Sequence, residues 1–598
     1  MLIISKPLSA GQVRTYHAEE FANTRENDFS SGDRIYGQWH GHLARHWGLS
    51  GDVQAERVWR LADGCDPHSG RPLVRHLSQP PYLNARGQRV TPMAHRAGWD
   101  ATLKAPKSVS LTALVGGDAR VRQAHHDSVA VAVDQLERDV QANLSRDRVE
   151  TTRNWVAAMF EHDSARPVAG YAAPLLHTHV VFFNLTQAAD GRIRALDPLQ
   201  LYRSQHYITA VYRSELAARL RALGYEIERG RCGQPEIRGY TVEYLLASSP
   251  RSQQIQERLA RLHLTGAGAG QISGFVTREP KLDRSHGVED LMQRRHRQLA
   301  LAFGDQPRRV VHAAHARARR IEPRLPGMAA HAAVTLAMDR SLERRALVDE
   351  RAVLVAALQH SMGEATFGAI KADFERRVDA GEFVEVDRKR DIPHRAVTTR
   401  EMVALERDAI RIMQRGQRSE DSLASHGTRL HVQRDYAHLS ERQQQALHHV
   451  LASGDQIMAL EGIASGDVTS VTTAVRDAAE REGYRAQAFA PISADAPDGQ
   501  RRLYVLEEPH LASARRMHAF FHRLGPHDRV LLVHAARETR GHHVADAGRL
   551  YQELQEGGMK TIRLDGSVHQ TDRRPALEQS KEHRPERQHS FGLGLGLG

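Results

Sequence analysis

Two periodicities interleave over the first 240 positions. Short runs rich in β-branched and aromatic residues (MLIIS, SVSLTALV, NWVAAMFEH and HTHVVFFNLT) predict strands. HHDSVAVAVDQLERDVQANL and ITAVYRSELAARLRALGY return an apolar residue every three or four positions and predict helices. The expectation is an α/β or α+β domain over 1–240. From 241 to 330 the patterns RSQQIQERLARLHL and VEDLMQRRHRQLALAF, on either side of GAGAG, predict a helical extension or linker with a hinge. Residues 331–430 read as mainly helical, with an extended EFVEVD and a turn at DIPH that suit a small winged-helix-like unit. From 431 to 575 the order changes to helix, QIMALEGI strand, helix, then strands AQAFAP, LYVLEEP and RVLLVHA, a partial doubly wound layout. Residues 576–598 end in a Gly-Leu repeat that cannot bury a core and predict a disordered tail.

Composition narrows the class. With 598 residues the chain exceeds what one core organises, so an α/β multidomain protein is expected. A net charge of +11 and a pI near 9.7, carried mostly by arginine, favour a polyanionic partner; arginine-rich coding in a GC-rich genome is the plainer explanation of the same bias. Cys65 and Cys232 stand too far apart in context for a disulfide framework or a cysteine metal cluster, which points to a reducing, cytoplasmic setting. No run reaches the roughly 18 apolar residues that membrane insertion requires.

The chemistry concentrates in LLHTHVVFFN. His177 and His179 lie two apart in a β-prone run, so both imidazoles project from one face and can share an ion. NWVAAMFEH ends in His162, and the Pro- and Gly-containing stretch between the two runs allows an antiparallel pair that brings the third histidine alongside. Three neutral imidazoles with open coordination positions suit a divalent ion that polarises a phosphate oxygen. Against this stands the abundance of histidine, 36 in the chain, most of which must be ordinary surface residues.

Tyr16 follows the first strand at the head of an expected helix, and GWDATLKAPKSVSL combines Asp100 with Lys104 and Lys107. These segments, in this order with WHGHLARHWGLSGDV, the HTH strand and GRIRALDPLQLYRSQHYITAVYRSELAARLRALGY, resemble the MobF class of conjugative relaxases, the TrwC and TraI type within the HUH endonuclease superfamily. The resemblance implies an N-terminal five-stranded antiparallel relaxase domain with flanking helices. It implies a nickase that cuts single-stranded DNA at a transfer origin through a 5′-phosphotyrosyl intermediate. Tyr16 corresponds to the nucleophile, His162, His177 and His179 to the metal ligands of a Mg2+ or Mn2+ site, and Asp100 to an acidic residue that positions or activates it. A free phenol titrates near about 10, so attack at neutral pH needs a base or nearby positive charge. Coupling and accessory relaxosome proteins are the further partners implied. Phe21 and Phe29 stand where relatives commonly carry further tyrosines, and Tyr36 is in another context, which implies a single-tyrosine enzyme. Lys104, Lys107, Arg192, Arg194 and Arg203 are candidate phosphate contacts, with Trp39 or Trp155 as stacking surfaces.

The later half resembles the superfamily 1 helicase that relatives fuse to the relaxase: 331–430 corresponds to a helicase-associated unit, YAHLSERQQQAL with Gln443 to its opening motif, and FAPISADA to a following strand. At the phosphate loop the chain reads EGIASGDVTS. Gly462 and Thr469 remain, but Asp467 and Val468 occupy the places of Gly and Lys, which weakens both the backbone cradle and the cation at the terminal phosphates. Glu507 and Glu508 replace an Asp-Glu pair, and His534, Ala535 and Glu538 a Gly-Asp-x-x-Gln turn. The expectation is a degenerate, truncated RecA-like region without ATP as a cofactor. A rolling-circle replication initiator with the same chemistry, and a non-catalytic DNA-binding relic, are the rival readings.

Overall fold

The computed structural model describes residues 2–14, 37–74, 82–83, 89–90, 95–145, 148–264, 286–320, 326–343, 345–386, 395–462, 465–488, 500–509, 512–535, 549–564 and 568–569. Tyr16, Phe21, Phe29, Tyr36, the GAGAG and DIPH segments, FAPISADA, Glu538 and the Gly-Leu tail lie outside them. The chain divides into two compact units, one of residues 1–337 and 354–374 and one of residues 338–353 and 375–598.

The first unit is built on a five-stranded sheet of β1 (Leu2–Ile4), β2 (Gln38–His40), β3 (Gly98–Lys104), β4 (Ala157–Ser164) and β5 (Pro174–Phe183), in the order β1-β3-β5-β4-β2 and antiparallel throughout. Period two then sorts the residues. Trp99, Ala101, Leu103, Val180, Phe182 and Ala157 share a face that excludes water, with Phe182 stacked between Trp99 at 5.6 Å and Trp155 at 4.9 Å. Such aromatic pairs add about 0.5–1.5 kcal/mol each beyond their buried area. Trp155 is fully buried and serves this core, not a base-stacking surface; Trp39 is half-buried against Phe183. Helices α1 (Lys107–Leu114), α2 (Ala119–Glu137) and α3 (Gln205–Ala222) pack with this sheet. The edge strand β1 is fastened by side chains near and on α3: Thr209 and Gln205 accept the backbone protons of Leu2 and Ile4, and the Tyr202 hydroxyl donates to the Ser5 carbonyl.

SVSLTALV, expected as a strand, is the helix α1. Its β-branched composition suits a strand, but the whole turn from Ser108 to Ala113 is buried, so no polar face marks a helical period. Two of its hydroxyls bond back within the helix, Ser110 donating to the Pro106 carbonyl at 3.0 Å and Thr112 to that of Ser108 at 2.8 Å, while the Ser108 hydroxyl donates to the Glu236 carboxylate.

Residue 240 does not end the first unit. Tyr244 and Ala300, from the stretch expected to be a linker, share a buried cluster with Leu111 of α1. Helix α4 (His286–Ala302) also meets the connection between β4 and β5: His296 bonds the Ala172 carbonyl at 2.9 Å and lies edge-on to Tyr171 at 5.5 Å. Large apolar residues of this Arg-rich segment such as Leu246, Leu262, Leu264, Leu291 and Leu301 are exposed, and the few that are buried, Tyr244 and Ala300 among them, serve the first unit.

In the second unit, EFVEVD supplies the strand Phe383–Val386, paired antiparallel with Ala396–Thr399. Helices α5 (Arg400–Arg415) and α6 (Glu441–Leu451) precede a six-stranded sheet. Its strands are β6 (Ile457–Gly462), β7 (Arg485–Ala488), β8 (Arg502–Glu507), β9 (Arg529–Ala535), β10 (Thr561–Arg563) and β11 (Val568–His569), in the order β7-β8-β9-β6-β10-β11. All pairs but the last are parallel. Helix α7 (Ser465–Arg481) follows β6 and α8 (Ala514–Phe521) lies between β8 and β9. The continuous apolar runs of β6, β8 and β9 are what a strand covered on both faces requires.

Candidate metal centre and its surroundings

The second face of the first sheet changes character along its length. Val181, Phe183, Ala158 and Phe160 are buried there against Leu43, Leu49 and Leu61, whereas the other end carries Asp100, Thr102, Lys104, His162, His177 and His179. Register makes the convergence unavoidable: His162 stands opposite His177, and His179 opposite Thr102. The three rings lie 4.9–5.2 Å apart by centroid, and one nitrogen from each falls within 4.8 Å of the others. This is the geometry in which three imidazoles chelate one ion, leaving solvent-side positions open.

The rings are oriented from behind. The Asp100 carboxylate accepts from His179 Nδ1 at 2.7 Å, and the Leu175 carbonyl accepts from His177 Nδ1 at 2.9 Å, so Nε2 of each is left as the ligating atom. Burial, with the neighbouring His179, His162 and Lys104, holds the His177 imidazole well below its ordinary range. A neutral ring is the form that binds metal. Asp100 thus stands behind a histidine of the cluster.

Residues that no spacing rule singled out support the strand from the helix-covered face. Thr178 lies between the two histidines and points the other way, where its hydroxyl meets His125 Nε2 at 3.0 Å; His125 Nδ1 meets the Tyr212 hydroxyl at 2.8 Å. His125 is fully buried, which drives its imidazole down to about 3 and keeps it neutral. Glu161, beside His162, is paired with Arg122 of α2. Through Thr178 these bonds tie β5, which carries His177 and His179, to α2 and α3, and through Glu161 they tie β4, which carries His162, to α2.

The candidate phosphate contacts divide. Lys104 is exposed on the histidine face, opposite His177. Lys107 is turned inward: Nζ donates to the Pro174 carbonyl at 2.7 Å, and burial, partly offset by Glu236, lowers its ammonium to about 8. It pins the start of β5. Arg192 and Arg194 flank Asp190, at 4.0 and 2.7 Å, with Arg192 the more exposed, and Arg203 is exposed at the end of a short helix.

At the second candidate site the strand-then-helix order around the phosphate-loop position is present, β6 followed by α7, but its residues are committed elsewhere. Val468 is buried in the core of the second unit, against Gly462, where a side-chain carbon would also meet Leu564. Glu461, at the end of β6, accepts from Tyr551 at 3.0 Å, Gln555 at 2.7 Å and Arg563 at 3.0 Å. Gln443 closes a capping box with Ser440 at the head of α6, so its side chain is engaged with its own helix. Thr469 and Glu507 are exposed, the latter paired with Arg476 at 3.3 Å, and Glu508 takes a left-handed φ of 54°.

Residues 10–303 match the family model described as TrwC relaxase. Two sequences of the multifunctional conjugation protein TraI, from Escherichia coli and from its strain K12, are 35% and 34% identical over 273 residues. That is 43% of this chain and 14% of the relatives, so the chain spans only a small part of their length. Structures of the conjugative relaxase TrwC in complex with OriT DNA, metal-free and metal-bound, are 28% and 29% identical and cover 51% of this chain and 99% of theirs, with a TM-score of 0.42. No helix of the described residues is long and apolar enough to cross a membrane.

Proposed function

Since the chain belongs, through residues 10–303, to the MobF-class relaxases of the TrwC family, we propose that it nicks one strand of DNA at a transfer origin and remains joined to the 5′ phosphate through Tyr16. The observation that carries this reading is the convergence of His162, His177 and His179, with Asp100 bonded behind one of them. The donor set fits a divalent cation: three imidazole nitrogens, one of them on a buried ring, and a carboxylate in the supporting position. When bound there, such an ion draws electron density from a phosphate oxygen and stabilises the charge that develops on it. Mg2+ or Mn2+ is the expected choice.

The chain's own groups do the rest. The Tyr16 oxygen attacks phosphorus; the P–O(Tyr) bond forms as the P–O3′ bond breaks, the phenolic proton leaves to solvent and the departing 3′ oxygen takes one up. One ester replaces another, so no nucleotide is consumed and the strand can be rejoined. Asp100 acts as a positioning residue, holding His179 in the tautomer that presents Nε2. Lys104, on the same face, is the first candidate for a phosphate contact, and Arg192, Arg194 and Arg203 are the other candidates. The second unit is read as a degenerate RecA-like helicase domain without ATPase activity, because position 468, where a lysine would reach for phosphate, is part of the core. Coupling and accessory proteins are the expected partners in transfer.

A cleavage assay on single-stranded oligonucleotides that carry the element's own transfer origin tests this. Cleavage at one position with magnesium or manganese, stopped by chelator and absent from a scrambled sequence, is expected. Equal cleavage of the scrambled strand, or cleavage indifferent to chelator, would remove the reading.

A further inference from the structure

Helices α5 and α8 of the second unit pack against each other and bring Asp408, His518 and His522 to one point. His518 and His522 are four residues apart, hence on one helical face. Asp408 Oδ2 lies 3.0 Å from His518 Nε2 and 2.6 Å from His522 Nε2, and the two ring nitrogens are 3.1 Å from each other. Nitrogens held about 2.0–2.1 Å from one tetrahedral ion stand about 3.3 Å apart, so these three atoms, which lie closer together than that, need only move apart by a few tenths of an ångström to become three corners of a coordination tetrahedron.

Hydrogen bonding alone accounts for this poorly. If both Nε2 atoms carry protons to donate to the single Asp408 oxygen, two N–H groups crowd together at 3.1 Å; if one does not, its lone pair faces a carboxylate. A cation at the centre replaces both protons and satisfies all three groups. We propose that Asp408, His518 and His522 form a second metal site, for a borderline first-row divalent cation such as zinc, that staples α5 to α8. Two imidazoles and a carboxylate are a zinc-type donor set. His522 is half exposed, with 52% of its side chain open to solvent, which gives the ion a path in and leaves the fourth position to water. The site stands in the second unit and does not depend on the nickase reading.

The test uses the full chain carrying His177→Ala and His179→Ala, so that the cluster of the first unit does not compete. It is titrated with Co2+ for the visible absorbance of a tetrahedral nitrogen–oxygen site, then with Zn2+ to displace it. One tight equivalent is expected, with a rise in the unfolding temperature on adding zinc. Further substitution with H518Q and H522Q, or D408N, should abolish the band and the rise while the far-ultraviolet circular dichroism stays the same. The half-exposed H522Q alone, which leaves the helix interface nearly untouched, covers the case in which the double variant fails to fold. The proposal is overturned if the background chain takes up no tight equivalent, or if H522Q binds cobalt and zinc as its parent does.

Discussion

At the scale of residues, the candidate centre depends on groups that hold histidines as much as on the histidines. Asp100→Asn keeps the size of the side chain but weakens the bond that orients His179, and supporting residues of this kind are worth about 10–100-fold in metal affinity. We expect D100N to need correspondingly more manganese for half-maximal cleavage and to recover at saturating cation, a response that a general folding defect would not give. His125 carries a different prediction. Its folded-state pKa, near 3, lies below the ordinary 6.5, so below about pH 6.5 the unfolded chain binds a proton that the folded chain refuses. Stability is therefore complete above that pH and declines as pH falls towards 3. Between pH 6.5 and 5 the loss from this one residue is about 2 kcal/mol. In H125Q, which retains a donor and an acceptor, unfolding measured by denaturant titration should vary less with acidity over that window.

At the scale of elements, a tight constraint near the candidate centre is the approach of β3 to β5. A Cβ at Gly98 would fall 2.2 Å from the Phe182 carbonyl oxygen, so G98A must part the two strands that carry Asp100 and His179. Overpacking of this sort costs about 1–3 kcal/mol. The expected outcome is a lowered unfolding temperature together with weaker metal binding, read on the same sample. It is also at this scale that the sequence was most and least informative. The pairing of His162 with His177 followed from period two and a short connection, because a strand's side chains keep their faces whatever surrounds them. The helix α1 did not, because complete burial erases the polar face by which a helix is recognised. Nor did the Thr178–His125–Tyr212 chain, whose members are separated by 53 and 87 residues and meet only once α2 and α3 lie on the sheet. Tyr244 and Ala300 packing beside Leu111 was hidden for a related reason: arginine-rich helices that contribute a few apolar residues to a neighbour look like a solvated linker.

At the scale of the whole molecule, the two units invite opposite expectations from similar sequence arguments. In the first, the residues singled out by spacing converge on one face of a sheet. In the second, β6 and α7 have the strand-then-helix order that nucleotide sites use, while Val468 is buried and Glu461 is tied to Tyr551, Gln555 and Arg563. Introducing the lysine that the loop lacks is then expected to harm the fold before it creates an activity. V468K places an ammonium in an apolar core, and should lower the unfolding midpoint without producing ATP hydrolysis in the presence of single-stranded DNA. A stable V468K protein with DNA-stimulated ATPase would show that this unit is closer to a working motor than its packing indicates.

Trapping the covalent intermediate decides whether Tyr16 is the nucleophile of a DNA-nicking enzyme. The full chain is incubated with labelled single-stranded DNA that carries its element's transfer origin, with magnesium or manganese, then denatured, digested and sequenced by mass spectrometry. A denaturation-resistant adduct whose nucleotide is attached to Tyr16 is expected, absent from Y16F and absent after chelation. An adduct that persists in Y16F, or tight salt-sensitive binding of the same DNA with no adduct, would contradict it.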